Sequence, residues 1–192
     1  MIILASYRNT KEVESVLAKT NSEVLVSLPS DREIAFTRYF ERSSELLFDA
    51  WTKPEHVRKW WGCEGSTIIH CDIDLRVGGA WHIVMRIQDG SDHPFRGSYR
   101  EVVRASRLVY TECYDVPQFG RPEWLTTITF KQVGHRTELC HTILHKSRQA
   151  RDGHLQAGME AGMIQTLTRL DEHAAELENP EGKAMQRTSE LT

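Results

Sequence analysis

The sequence predicts an α+β domain: a curved antiparallel sheet of about seven strands wraps a long C-terminal helix, and two short helices follow the first strand. Three observations predict it. From Glu33 to Leu144 short runs of two-residue apolar alternation are separated by turn signals containing glycine. Two short segments of helical character interrupt these runs after the first strand and end at Gly62. From roughly Ala150 to Glu176 the apolar spacing changes to that of one long amphipathic helix. Strands in near-continuous hairpins with the helices set apart from them define an α+β pattern.

The first strand is expected over Glu33–Phe40, with Ile34, Phe36 and Arg38 on one face. Ser43 is placed to cap a helix carrying Leu46, Leu47, Ala50 and Trp51. Thr52 and Glu55 form a capping-box pattern around Pro54, which starts a second helix that buries Val57, Trp60 and Trp61. In the next strand Ile69, Cys71, Ile73 and Leu75 alternate with His70, Asp72 and Asp74, and Gly78-Gly79 reads as a two-residue hairpin turn. Trp81, Ile83, Met85 and Ile87 form the next inward set, Asp89-Gly90 turns the chain, and Phe95, Gly97 and Tyr99 follow. Leu108–Tyr114, Trp124–Phe130 and Thr137–Leu144 complete the sheet, the last two joined through Gly134-His135.

On the wheel of the C-terminal helix, Leu155, Met159, Gly162, Thr166, Leu170, His173 and Ala174 share one face, with Met163 and Leu167 on its flank. Gln156, Glu160, Gln165 and Arg169 point elsewhere, and Ile164 lies opposite the buried face, where it hints at a homodimer contact. Gly158 and Gly162 each cost about 1 kcal/mol relative to alanine inside a helix. Close approach to the sheet would explain them; so would room left for a ligand.

The chain divides into an N-terminal extension (1–31), a folded domain (32–178) and a flexible C-terminal tail (179–192) that begins near Pro180 and Gly182. Within the extension, Thr10–Lys19 could form a short helix and Glu23–Leu28 a strand. The 192 residues are 40% hydrophobic and 27% charged, which is ordinary for one globular domain. A net charge of −3 and a pI of about 6.3 give no electrostatic reason to expect nucleic acid or an anionic membrane. No run approaches the roughly 20 apolar residues of a membrane span, and the start has no signal-peptide pattern, so a cytoplasmic location is expected. Cys63, Cys71, Cys113 and Cys140 are scattered without CxxC spacing and read as free thiols.

Several motifs occur together and in order: Trp51-Thr-Lys-Pro-Glu-His56, Trp60-Trp61-Gly62, Asp74-Leu-Arg-Val-Gly-Gly-Ala-Trp81, Gly97-x-Tyr99-Arg-Glu101 and the glycine-containing terminal helix. From about Glu33 to Leu177 the chain resembles bacterial proteins similar to the C-terminal domain of the activator of heat-shock protein 90 ATPase, in the START-like, helix-grip superfamily (SRPBCC). The resemblance implies a helix-grip fold. It also implies a superfamily of lipid carriers, polyketide cyclases, hormone receptors and proteins that sequester natural products, and a stress-related role. Co-chaperone activity in this family belongs to larger eukaryotic proteins with a further N-terminal domain. Two departures stand out. Met163 follows Gly162 where relatives usually place tryptophan, and His141 occupies a strand position that is usually apolar.

The expected site is an internal cavity between the sheet and the C-terminal helix, holding a small apolar or amphipathic molecule. Its predicted lining is Trp61, Trp81, Met85, Tyr99, Tyr110, Glu112, Trp124, Ile128, His141, Met159, Gly162, Met163 and Thr166. The methionines suit an irregular apolar guest. These same residue types also fill ordinary cores, and His141 equally suits a core histidine hydrogen-bonded within the protein. A second reading is an enzyme of cyclase, dehydratase or hydrolase type, with His141, Tyr99 and Glu112 as acid–base groups converging on one void. A third is a chaperone-associated interaction module. No GxSxG, P-loop, GxGxxG or HExxH is present, so no cofactor and no metal are expected; His70 and His82, with Asp72, could meet across a hairpin on the solvent face.

Overall fold

The computed structural model describes residues 23–179. Eight antiparallel strands form one sheet in the order β1-β2-β8-β7-β6-β5-β4-β3. These are β1 Leu25–Ser27, β2 Glu33–Phe40, β3 Thr67–Ile73, β4 Ala80–Arg86, β5 Asp92–Val103, β6 Arg107–Tyr114, β7 Glu123–Val133 and β8 Arg136–Leu144. The helices are α1 Ser44–Thr52, α2 Pro54–Trp60, α3 Arg148–Gln156 and α4 Met159–Glu178. The sheet has one strand beyond the seven expected in the folded domain: the possible strand at Glu23–Leu28 forms over Leu25–Ser27 and pairs with Ala35–Thr37 of β2. The expected helix at Thr10–Lys19 and the tail from Pro180 onward lie outside the described residues.

The concave face of the sheet carries the core. Phe36, Phe40, Leu108, Ile128 and Leu139 are fully buried against Leu47, Phe48 and Trp60 of the short helices. The two-residue period places them on one face, and burial of apolar surface at about 25 cal/mol per Å² drives the packing. Ser43 caps α1 by accepting a hydrogen bond from the Leu46 N–H. The expected capping box is absent. Thr52 is the last residue of α1, and its hydroxyl donates to the Phe48 carbonyl at 2.7 Å. Lys53 serves as C-cap of α1 and N-cap of α2, and Pro54 begins α2 with its φ already fixed near the helical value.

Two further expectations need correction. A bulge between Ile68 and His70 turns Ile68 inward and leaves Ile69 42% exposed, so the inward set is Ile68, Cys71 and Ile73 rather than Ile69, Cys71, Ile73 and Leu75. The β3–β4 connection is also no two-residue hairpin. It runs from Asp74 to Gly79 and is tied to β5 by Gly78 N–H to Tyr99 C=O (2.8 Å) and Tyr99 N–H to Gly79 C=O (2.9 Å). Asp74 and Arg76 form the expected ion pair there. A second bulge follows Tyr99. Gly97 is required by close approach: a Cβ there would collide with the Thr111 carbonyl and meet the Trp81 indole nitrogen at 2.6 Å, and that indole donates to the same carbonyl at 3.2 Å.

The terminal helix is two helices. Gly158, with φ of +84°, interrupts the expected continuous segment and separates α3 from α4. α4 buries Leu167, Leu170 and Ala174, all in the part of the helix from Leu167 onward. Arg38, buried on β2, anchors that part through Asp171 (2.7 Å) and Thr168 (3.1 Å). Arg169, off the buried face as expected, donates to the carbonyls of Lys59, Gly62 and Cys63 at the end of α2. The N-terminal half of α4, from Met159 to Thr166, contributes no fully buried residue. Ile164 on its outer side is 37% exposed.

Candidate functional site: a cavity under the terminal helices

That unburied half of α4 roofs a cavity of about 840 Å³. Its floor is the concave sheet, from Met85 on β4 through Phe95, Tyr110, Glu112 and Trp124 to His141 and Ile143 on β8 and His145 just beyond it. Its roof is Ala150, Gly153 and His154 of α3, the Ala157-Gly158 junction, and Met159, Gly162, Met163 and Thr166 of α4. Trp51, Trp60, Trp61, Gly62 and Cys63 close one side, and residues Phe119–Glu123 of the β6–β7 connection line the other. Phe119 is 62% exposed and stacks on Tyr114 with ring centroids 5.7 Å apart. The glycines of the roof meet the space directly: a Cβ added at Gly153, Gly158 or Gly162 would have no neighbour within 4 Å. Close helix–sheet packing therefore does not explain Gly162; the helix stands off the sheet there.

Strand register assembles the polar end of the cavity. Glu112 on β6 pairs with Trp124 on β7, and the β7–β8 ladder, which pairs Leu125 with Leu144, brings His145 beside Trp124. The Trp124 and His145 rings are 5.9 Å apart. From above, His154 of α3 lies 4.6 Å from the Trp124 ring, with its Nδ1 3.4 Å from Nε2 of His145. The Glu112 carboxylate accepts one hydrogen bond, from Thr126 Oγ1 at 3.0 Å. The Trp124 indole N–H interacts electrostatically with that carboxylate but makes no hydrogen bond of normal geometry.

Burial sets the protonation states. Glu112 is enclosed by protein while still touching the cavity, and desolvation pushes its carboxyl up to about 7 despite the Thr126 and Trp124 donors. Desolvation lowers His141 to about 3, with a smaller contribution from repulsion by His154. His154 is lowered to about 4 by burial and then by His145, and His145 is lowered by burial and then by Arg151. At neutral pH this end therefore holds neutral imidazoles beside a carboxyl that is only partly ionised.

Ten of the thirteen residues predicted to line the site lie on this cavity: Trp61, Met85, Tyr110, Glu112, Trp124, His141, Met159, Gly162, Met163 and Thr166. Trp81 and Tyr99 do not. They line a separate hollow of about 30 Å³ that also touches Trp61, Tyr110 and Glu112. Ile128 lies in the fully packed core. Hence His141, Tyr99 and Glu112 are not gathered around one void: Tyr99 faces the small hollow, His141 the large cavity, and Glu112 both. Both ring nitrogens of His141 are buried without a hydrogen-bond partner, and its ring packs edge-on to Phe36 and Trp51. Trp60 is the buried anchor of the short helices, its indole N–H donating to the Ala50 carbonyl at 2.8 Å, whereas Trp61 is half-buried against Phe95.

The sequence reading missed His145 and His154. His145 lies one residue past the end of its strand, and His154 belongs to a helix whose face is offset by the break at Gly158. Among the described residues no group of three or more His, Cys, Asp or Glu side chains could hold a metal ion, and His70, His82 and Asp72 form a surface contact only. No helix among the described residues is long and apolar enough to cross a membrane.

The family model described as Activator of Hsp90 ATPase homolog 1-like protein matches residues 41–175. Solved structures share the fold. A protein from Rhodobacter sphaeroides is 24% identical with a TM-score of 0.73, and the match covers 81% of this chain and 99% of that one. A protein from Nitrosomonas europaea is 24% identical with a TM-score of 0.71, covering 79% and 99%. The AHSA1 protein from Silicibacter pomeroyi is 22% identical with a TM-score of 0.65, covering 77% and 99%. At these identities the likeness shows the fold alone. None of the curated proteins matches the chain.

Proposed function

For this chain, which belongs to the activator of Hsp90 ATPase homolog 1-like family, we propose that the space beneath its terminal helices is a binding site for a small apolar or amphipathic molecule. The observation that carries this reading is the open space at Gly153 and Gly162. Neither glycine has positive φ and neither is pressed by a neighbour, so each gives up about 1 kcal/mol of helix stability relative to alanine with no packing gain. What both residues do is enlarge one cavity. Its volume, about 840 Å³, lies within the roughly 300–1,000 Å³ range of small-molecule sites, and its apolar walls with a few polar groups at one end fit an amphipathic guest. Met85, Met159 and Met163 supply adaptable walls.

Binding takes precedence over catalysis because the acid–base trio that an enzyme of this kind would use is divided between two voids. The test is titration with the apolar dye Nile red. Saturable one-to-one binding is expected, and Gly162→Phe, which fills the roof, should weaken it at least tenfold while the circular dichroism spectrum is retained. Absence of saturable binding to the unmodified protein, or binding indifferent to Gly162→Phe, would overturn the reading.

A further inference from the structure

Four charged side chains line the cavity, and three of them are neutralised at its rim. Arg121 pairs with Asp115 at 2.8 Å, and Lys146 pairs with Glu123 at 3.6 Å. Among the described residues Glu112 has no ion-pair partner, and the hydrogen bond it accepts comes from the neutral hydroxyl of Thr126. It is also the one carboxylate set deep in the cavity, where the walls around it are the aromatic rings of Trp61, Tyr110 and Trp124. An unopposed carboxylate among aromatic rings attracts one kind of ligand group. The anion supplies the Coulomb partner, ring faces add cation–π attraction, and the low dielectric strengthens both. Resting on the cavity-binding reading, we infer that the ligand is a hydrophobic amine whose protonated nitrogen meets Glu112.

The neighbouring groups favour the same chemistry. On its own strand Glu112 shares a face with Tyr110, with Tyr99 of β5 behind it; on β7 its neighbours are Thr126 and Trp124; beyond these lie His145, just past β8, and His154 of α3. The two histidines are 3.4 Å apart, nitrogen to nitrogen, an arrangement in which one ring donates to the other and both cannot carry charge at low cost. Tyr99 and Tyr110 are raised by burial and stay neutral. No cation therefore competes for the carboxylate, and an anionic ligand would be placed against it. A neutral alcohol leaves the carboxylate's desolvation uncompensated and binds with Glu112 protonated.

The pH dependence follows with a definite sign. Amine binding requires the ionised carboxylate, so affinity rises as pH passes upward through about 7 and falls again above the amine's own pKa. The experiment compares 1-naphthylmethylamine, 1-naphthylmethanol and 1-naphthoic acid by isothermal titration at pH 8 and pH 5.5. At pH 8 the amine is expected to bind at least tenfold more tightly than the alcohol, with the acid weakest. At pH 5.5 the preference should shrink to less than threefold. Glu112→Gln should abolish the preference at pH 8, and at pH 5.5, where the carboxyl is already protonated, it should change alcohol affinity by less than threefold. Equal or tighter binding of the alcohol or the acid at pH 8 overturns the inference, as does a preference unchanged in Glu112→Gln. If that variant does not fold, the two-pH comparison on the unmodified protein decides the matter. Failure of all three compounds where Nile red still binds removes the amine and leaves the cavity reading intact; failure of Nile red as well removes both.

Discussion

Arg169 of α4 donates to the Cys63 carbonyl at 2.8 Å, so the loop that walls one side of the cavity is held by the helix that roofs it. The same guanidinium takes the carbonyls of Gly62 (3.1 Å) and Lys59 (3.2 Å), supplying donors to the open C-terminal end of α2. Arg169→Ala is expected to destabilise the protein by about 2 kcal/mol, since hydrogen bonds to charged groups contribute roughly 1.5–3 kcal/mol. Arg169→Lys should recover only part of this, because an ammonium cannot span three carbonyls as a planar fork does. Chemical denaturation of the two variants checks both statements.

Two glycines should respond in opposite directions to the same substitution. Gly162→Ala adds a methyl group to open space in a helix and is expected to stabilise the fold by up to about 1 kcal/mol. Gly97→Ala forces a Cβ onto the Thr111 carbonyl and the Trp81 indole, and is expected to cost at least about 2 kcal/mol. Thermal melts of the pair distinguish a cavity glycine from a packing glycine.

Acid and alkaline stability should be governed by different residues. His141 has a folded pKa near 3, below its unfolded value of about 6.5, so the unfolded chain binds more protons between these values and stability falls as pH drops through that window. Its contribution to the loss is about 2 kcal/mol at pH 4.5. His141→Leu also removes two unpaired buried nitrogens, so it should be neutral or stabilising at pH 7 and flatten the acid limb of the stability profile. Urea titrations at pH 4.5 and 7 measure this.

Glu112 works the other way. Its folded pKa of about 7 lies above the unfolded value of about 4.5, so its stability contribution is complete below 4.5 and is lost as pH rises through 7. Glu112→Gln is expected to leave stability nearly unchanged at pH 4.5 and to raise it by about 3 kcal/mol at pH 8. The same denaturation series at those two pH values tests it, and a gain confined to the acid side would contradict the assignment.

Met163 lines the roof of the cavity beside Gly162. Met163→Trp should extend an indole into the space below α4 and weaken Nile red binding several-fold without unfolding the protein. Dye titration beside a melting curve reports both effects.

Strand spacing made most of the fold legible, because a period of two fixes which residues face the core: Ile34, Phe36, Ile128 and Leu139 were readable one by one. It failed where the period breaks. The bulge at Ile68–His70 shifts the parity of β3, and no residue in Thr67–Ile73 announces it. Thr52 showed a different limit: its hydroxyl could cap the next helix or bond back to Phe48, and only the tight Lys53 junction decides between them. At the site, strand parity placed Trp124 and His141 on the concave face, but depth along the strand was invisible, so Ile128 and Tyr99 were grouped with residues that border a different space. Glycines in a helix carried two meanings, and the distance to the sheet separated them.

The break at Gly158 gives the cavity two separately attached covers. α4 is anchored at its far half by Arg38, Arg169 and the packed Leu167 and Leu170, whereas α3 reaches the rest of the roof across a left-handed residue that interrupts the helical ladder. Met159, Gly162, Met163 and Thr166 of the cavity roof belong to the fixed cover, while Ala150, Gly153 and His154 belong to the other. On the proposed reading, substitutions in α4 and the sheet are expected to change how tightly a molecule is held, and substitutions at the 157–158 junction how fast it is released.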